Sequence, residues 1–364
     1  MDVENPDVYR LLQQHLDEMP VGFPPTQSGV EIRILKQLFT PEEARLATLL
    51  RYSPCPSDSL EEIHEKTQEP GFSMEELQNL LDTMVGKGLL LFRHEGNRRF
   101  YNNAQWVVGI YEFQVNRLTA DLFKDIVDYN IEAFGRVLHK SKKPQLRVIP
   151  IGKTVTHSNE IANYDNVREL ISSSKGPFLV ANCICRQGMD TVENPCKVTD
   201  RRETCIAFGM MAQMYIDQGW GREVTRDELL EVVQQNEDDG LVLQPSNSRT
   251  LDFLCSCCGC CCGILAGTKM SRKPVKFFST NHFSEVDQGI CNLCGNCVDW
   301  CQMEAIALES DALLIDLNRC IGCGICVANC PSEALTLRKH AEERVPPETM
   351  DELYSIIAEN KYEL

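Results

Sequence analysis

Basic charge and long apolar runs are what this 364-residue chain has least of. Its 36 Lys and Arg stand against 53 Asp and Glu, a formal net charge of -17. A body that acidic repels a polyanion, which disfavours generic affinity for nucleic acid. Apolar runs such as Leu89-Leu90-Leu91-Phe92 fall far short of the ~20 residues that cross a bilayer, so no membrane span is expected. The opening MDVENPDVYR is acidic where a secretory signal is basic and then apolar, which predicts a cytoplasmic protein. Also missing are a strand-linked Gly-x-Gly-x-x-Gly, a Gly-x-x-x-x-Gly-Lys-[Ser/Thr] loop and a Gly-x-Ser-x-Gly elbow. Their absence removes the usual sequence signs of dinucleotide, nucleoside-triphosphate and serine-hydrolase chemistry. The seven histidines (His15, His64, His94, His139, His157, His282 and His340) form no ligand-spaced pair.

What the chain has in excess is cysteine. Of its 19 cysteines all but Cys55 lie between Cys183 and Cys330. Small disulfide scaffolds are short and secreted, whereas clustered thiols in a reducing compartment read as metal ligands.

Ahead of the cysteines, residues 1–30 read as an irregular arm with a short helix over 6–17. Helical spacing begins at Val30 with Ile32, Leu35 and Leu38. Thr40, Pro41 and Glu43 make a capping box, a third helix follows near 59–66, and Ser73 caps a fourth with Leu77, Leu80, Leu81, Met84 and Val85 on one face. LLLFRHEGNRRFYN then reads as a β-hairpin turning at Glu95-Gly96-Asn97. Helices followed by a hairpin are the order of a winged helix. The helix that would enter DNA carries Glu75, Glu76 and Asp82 against Lys87 alone; only the hairpin, with Arg93, Arg98 and Arg99, is basic. That balance suits a docking module better than a sequence reader. Residues 104–145 look helical, in two segments parted near 116–119, with a polar break at SKKP (141–144). Beyond it, strands are expected at 146–151, 178–181, 241–243 and 252–254. Helices are expected across 204–215 and from Thr225, capped with Glu228.

The chemistry is carried by a repeat. Cys291, Cys294, Cys297 and Cys301 give C-x2-C-x2-C-x3-C, and Cys320, Cys323, Cys326 and Cys330 repeat the spacing. Three thiolates two residues apart let one loop curl round a cubane. The fourth, expected on the first turn of a helix and pointing away, then serves the other cubane. The spacing therefore assigns Cys291, Cys294, Cys297 and Cys330 to one [4Fe-4S] cluster, and Cys320, Cys323, Cys326 and Cys301 to a second. A pair of zinc ribbons would have no use for the third and fourth cysteines of each run. Pro331 follows the second run, but Gln302 stands where the pattern has proline in the first, and Trp300 beside Cys301 reads as either a cluster shield or a core residue. This segment resembles bacterial-type dicluster ferredoxins.

Ten cysteines remain in the centre: Cys183, Cys185, Cys196 and Cys205, then Cys255, Cys257, Cys258, Cys260, Cys261 and Cys262. The first four are enough for one tetrahedral or cubane site, with Arg186 either hydrogen-bonding a cluster sulfide or simply at the surface. Neighbours in the run Cys260-Cys261-Cys262 point different ways, so that run faces two centres, bridges metals or leaves thiols free. One or two further Fe–S clusters, a non-cubane cluster, thiolate-bound Zn²⁺ or Cu⁺, and a redox-active thiol pair all fit.

The order HLDEMPVGFPPTQSGVEIRILKQLFTPEEA, VGIYEFQVNRLT, CICRQ, ETCIAFG, GLVLQPSN, CSCCGCCCG and the dicluster segment is similar to multi-cysteine ferredoxin-domain proteins of anaerobic bacteria. That resemblance implies an electron carrier, or an electron-transfer subunit of an anaerobic oxidoreductase, more than a stand-alone enzyme. A redox-sensing winged-helix regulator and a reductase with its active centre in the central cysteines are the alternatives. The acidic surface anticipates redox partners with a basic docking patch; oligomeric state is left open. The expected fold is α+β and multidomain: an N-terminal arm (1–30), a winged-helix-like helical domain (31–103), a helical connector (104–145), a central α/β cysteine-rich domain (146–270), a ferredoxin-like 2[4Fe-4S] domain (286–340) and an acidic tail (341–364).

Overall fold

A computed structural model describes residues 7–361 apart from Pro54, 68–70, Asn97, 141–142 and 156–160. Asn97 of the hairpin turn, the first two residues of the polar break at 141–144, and His157 thus lie outside the described residues. The chain divides into two units, one of residues 1–142 with 354–364 and one of residues 143–353.

The first unit begins with helices α1 (Val8–Asp17), α2 (Val30–Leu38) and α3 (Pro41–Ala47). The short strand β1 (Asp58–Ser59) precedes α4 (Leu60–Lys66) and α5 (Met74–Gly86), and the hairpin β2 (Leu90–Glu95) and β3 (Arg98–Asn103) follows. The sheet order is β1-β3-β2, antiparallel throughout. Reciprocal capping boxes start three of these helices, Thr40 with Glu43, Ser59 with Glu62, and Ser73 with Glu76. Each satisfies backbone donors that a helix start leaves unpaired. α5 buries Leu77, Leu81, Met84 and Val85, the apolar face its spacing predicts.

Residues 106–114 are irregular turns rather than the expected helix. α6 (Ala120–Tyr129), capped by Thr119, and α7 (Gly135–Lys140) come after them. The arm is less loose than its composition suggests: Met19, Val21 and Phe23 are buried, and Phe23 packs 4.6 Å from the Tyr129 ring.

The second unit is built on a five-stranded antiparallel sheet, order β6-β4-β5-β8-β7. Its strands are β4 (Phe178–Asn182), β5 (Glu203–Phe208), β6 (Gly221–Val224), β7 (Val242–Pro245) and β8 (Phe253–Cys257). Around it lie α8 (Gly152–Val155), α9 (Val167–Ser173), α10 (Ile184–Thr191), α11 (Gly209–Asp217), α12 (Arg226–Asp238) and α13 (Gly263–Lys269). Helices and strands mix as expected, but the antiparallel pairing makes this an α+β layer and not a parallel α/β one.

Two local expectations are corrected. The first half of the helix expected at 204–215 is strand β5, because Ile206 and Ala207 pair with Leu254 and Phe253 of β8 while Val180 flanks Ile206 on the other side. The strand expected at 146–151 forms only isolated bridges, Leu146 with Ser246 and Ile149 with Leu243. The core between sheet and helices includes Val180, Ile206, Leu229, Val233, Leu243 and Leu254. Full burial of such side chains contributes about 1.5–3 kcal/mol each.

The remainder of this unit is a small repeat. β9 (His282–Val286) pairs with β12 (Leu335–Lys339), and β10 (Ile306–Leu308) pairs with β11 (Leu313–Ile315). Between them lie the short helices α14 (Asn296–Trp300) and α15 (Ile325–Ala328). The copies share their backbone: Gly295 and Gly324 both have φ near +80° (79° and 77°), as N-caps of these helices. The last helix, α16 (Met350–Lys361), straddles the two units, and in the first Lys361 Nζ donates to the carbonyls of Asp17 and Met19.

Candidate metal centres

The repeat folds its cysteines into two sets. One cavity is lined by Cys291, Cys294, Cys297 and Cys330, and another by Cys301, Cys320, Cys323 and Cys326. Three thiols of each set come from one run and the fourth from the other, the exchange that the spacing predicts. The reason differs in one detail from expectation. Cys297 and Cys326, the third cysteines, sit inside α14 and α15, whereas Cys301 is the C-cap of α14 and Cys330 comes just past the end of α15. The short helix is therefore the spacer that carries the fourth thiol across.

The two cavities differ in solvent access. Cys294 is exposed and Cys291 and Cys330 half-buried, while Cys320 and Cys326 are buried. In the inner set, burial pushes the thiols of Cys301 and Cys323 up, and that of Cys326 to about 12. A thiolate there needs a cation to hold it. Donors converge on the same sulfurs: Ser284 Oγ lies 3.2 Å from Cys326 Sγ, Ser284 N–H donates to Cys320 Sγ at 3.5 Å and Ala305 N–H to Cys301 Sγ at 3.2 Å. Thiols, donors and enclosure together fit a polynuclear iron–sulfur group. Ser284 escaped the sequence reading because it lies on β9, ahead of the first motif; its only signal is the apolar–polar alternation of HFSEV.

The central cysteines do not divide as their sequence neighbourhoods suggest. Cys196 leaves Cys183, Cys185 and Cys205 and joins Cys258, Cys260 and Cys261, all four Sγ atoms lying within 4.8 Å of one another. Cys196 Sγ is 3.6 Å from Cys258 and 3.8 Å from Cys260, and Cys260 Sγ is 3.6 Å from both Cys258 and Cys261. The other six thiols contact one another: Cys183 with Cys185 and Cys205, Cys205 with Cys255, Cys257 with Cys255 and Cys262, and Cys262 with Cys185. Strand geometry explains the split. Cys255 and Cys257 share one face of β8, and the chain turns at its end so that Cys258 faces the other way.

Arg186 stands between the groups and is fully buried, not at the surface. It donates to Thr204 Oγ1 at 2.5 Å and to the Ser256 carbonyl at 3.3 Å. Burial opposes its charge, yet Cys183 and Cys258 hold the guanidinium's proton more tightly than usual. Hydrogen bonding from Cys261, aided by the charge of Arg186, pulls Cys258 down to about 5 against its burial. The same bond and burial push Cys261 up. Cys55 is exposed and remote in sequence from all of these thiols.

The two residues singled out beside Cys301 connect the groups. Gln302 Oε1 accepts from Gly259 N–H at 2.8 Å, and Gly259 lies between Cys258 and Cys260. The approach is too close for a side chain, since a Cβ on Gly259 would come 2.2 Å from the Gln302 carbonyl oxygen. Trp300 lines the inner cavity and rests on Gly240, where a Cβ would sit 2.5 Å from the ring.

Two family models, each described as a 4Fe-4S dicluster domain, match the chain, one over residues 290–335 and the other over residues 319–359. The C-terminal part is thus of the 4Fe-4S dicluster ferredoxin type. No curated protein matches the chain. Among the described residues no helix is long and apolar enough to cross a membrane.

Proposed function

We propose that this chain passes single low-potential electrons between partner oxidoreductases. In this reading Cys291, Cys294, Cys297 and Cys330 hold one [4Fe-4S] cluster, Cys320, Cys323, Cys326 and Cys301 hold a second, and Cys196, Cys258, Cys260 and Cys261 hold a further thiolate-bound centre. The observation that carries it is the pair of four-thiol cavities, each completed by the other run's fourth cysteine. A bound cubane supplies one-electron redox chemistry at nearly fixed geometry. The protein's part is to hold thiolates in place, exclude water and set the charge around them.

The chain's own residues give this reading a direction. The set containing exposed Cys294 is the one a partner can approach. The inner set is covered by Trp300 and joined through Gln302 and Gly259 to the central thiols. This hydrogen bond joins one cysteine-bearing loop directly to the next. With a net charge of -17, the chain suits partners that offer a basic patch.

The first unit has the element order of a winged helix and serves here as a docking module. Its basic hairpin side chains are already engaged, Arg99 with Asp82 and Arg93 with Glu95. An anaerobic gel shift at low salt checks this: no retention of duplex DNA is expected, and a redox-dependent specific complex would instead favour a regulator.

An anaerobic redox titration followed by EPR tests the main proposal. Two one-electron [4Fe-4S] signals are expected, one altered by Cys294→Ser and the other by Cys323→Ser. A protein with no reducible iron signal refutes it.

A further inference from the structure

Six cysteines are left over when the dicluster sets and the Cys196 group are taken out. They come from four places: the start of α10 (Cys183, Cys185), strand β5 (Cys205), strand β8 (Cys255, Cys257) and the N-cap of α13 (Cys262). Their contacts run from one to the next and close on themselves, in the order 183, 185, 262, 257, 255, 205 and back to 183. None is in a disulfide, none is exposed, and Cys183, Cys257 and Cys262 are buried.

A ring of six thiols is a poor apolar core and exceeds what one tetrahedral ion or one cubane binds through protein sulfur, which is four. Beside the ring lies a buried cation. Arg186 is 0% exposed, and its Nε finds no hydrogen-bond partner. Among the described residues it forms no ion pair with a carboxylate; its partners are a hydroxyl, a carbonyl and the thiol of Cys196 in the neighbouring group. An uncompensated buried guanidinium costs several kcal/mol, so a structure that keeps one places negative charge against it. Cys183 and Cys205 of the ring are the thiols whose charges act on it from this side.

We infer that the ring of Cys183, Cys185, Cys205, Cys255, Cys257 and Cys262 is a separate site for a polynuclear iron–sulfur cluster larger than a cubane, with Arg186 as its counter-charge. On assembly each ligating thiol gives its proton to solvent and displaces a water from iron, and inorganic sulfide, losing its own protons to solvent, supplies the bridging atoms. Ferrous and ferric iron supplied in the cluster's own ratio balance the step without a further oxidant or reductant. Strands β5 and β8 fix three of the six ligands on a hydrogen-bonded sheet, the rigid support that a multi-ligand site needs. Alternation along CSCCGCCCG sends Cys257 and Cys262 to this site and Cys258, Cys260 and Cys261 to the other. One short run thereby serves two centres.

This inference rests on the Fe–S reading above but fails separately from it. Metal and sulfide are measured on full-length protein isolated without oxygen, by elemental analysis and native mass spectrometry, for wild type and for two double variants, Cys205→Ser/Cys257→Ser and Cys260→Ser/Cys261→Ser. Wild type is expected to hold more iron than the ~12 atoms that three cubanes contain. The first variant loses one share of iron and sulfide and the second a different share, while both retain the dicluster EPR signals. Zinc in place of iron, an unchanged inventory in the first variant, identical losses in both, or disulfide-linked ring cysteines would overturn the six-thiolate cluster. Should the first variant not fold, the wild-type mass decides alone, and an inventory at or below the three-cubane value refutes the site. Loss of the dicluster signals from wild type itself would instead refute the electron-transfer reading.

Discussion

Ser284 shows how one side chain sets the chemistry of a site it does not ligate. Its hydroxyl lies 3.2 Å from Cys326 Sγ, where it stabilises the more negative, reduced state of whatever that sulfur binds. Ser284→Ala is expected to lower the midpoint potential of the inner cluster by about 20–60 mV, at most about a tenfold change for a one-electron couple. The outer cluster stays where it was, and EPR-monitored titration reads both. Gln302 works differently, by satisfying Gly259 N–H inside the protein. Gln302→Pro restores the proline of the repeat pattern but leaves that donor unpaired, at a cost of about 1–3 kcal/mol. Anaerobic denaturant unfolding checks the loss.

Asp252 makes a pH-dependent contribution. Burial, with Asp351 nearby, raises its carboxyl to about 6. The folded state then binds the proton more tightly than the unfolded state, for which the ordinary value is 3.8, so stability falls as pH rises from about 4 to about 6. Above that window Asp252→Asn is expected to raise stability by roughly 1–3 kcal/mol. Below pH 4 the variant and the wild type converge, as melting temperatures across pH would show.

At the scale of elements, what was legible in the sequence was what is local. Capping pairs such as Thr225 with Glu228 are found as read, because a cap is a contact three residues long. Thr225→Ala is expected to cost about 1 kcal/mol of stability without altering any cluster spectrum, as chemical denaturation and EPR would show. The hairpin and α5 were legible for the same reason. What escaped depends on partners distant in sequence. Segment 204–208, with Thr204, Ile206 and Phe208, was read as part of the helix that follows it, but its residues are strand formers and it is held as strand between β4 and β8. Arg186 looks like a surface residue until thiols from two distant segments close round it. The grouping of the eight ferredoxin-type cysteines around two cavities followed from spacing because both runs obey one wrapping rule. The ten central ones could not, since Cys196 meets its partners only after the chain has passed β5 to β8.

The molecule as a whole is acidic and carries both exposed and buried thiols, Cys294 among the first and Cys326, Cys258 and Cys261 among the second. Exposed charge sets encounter rates and is screened over ~8 Å at physiological salt. Electron transfer to a basic acceptor protein, followed by stopped-flow, is therefore expected to slow several-fold as ionic strength rises, and a salt-independent rate would exclude electrostatic docking. The most direct test of the whole account is a count of iron and acid-labile sulfide in protein isolated without oxygen. A brown sample with at least about eight of each per chain is expected, the content of two cubanes. A colourless, sulfide-free protein would contradict it.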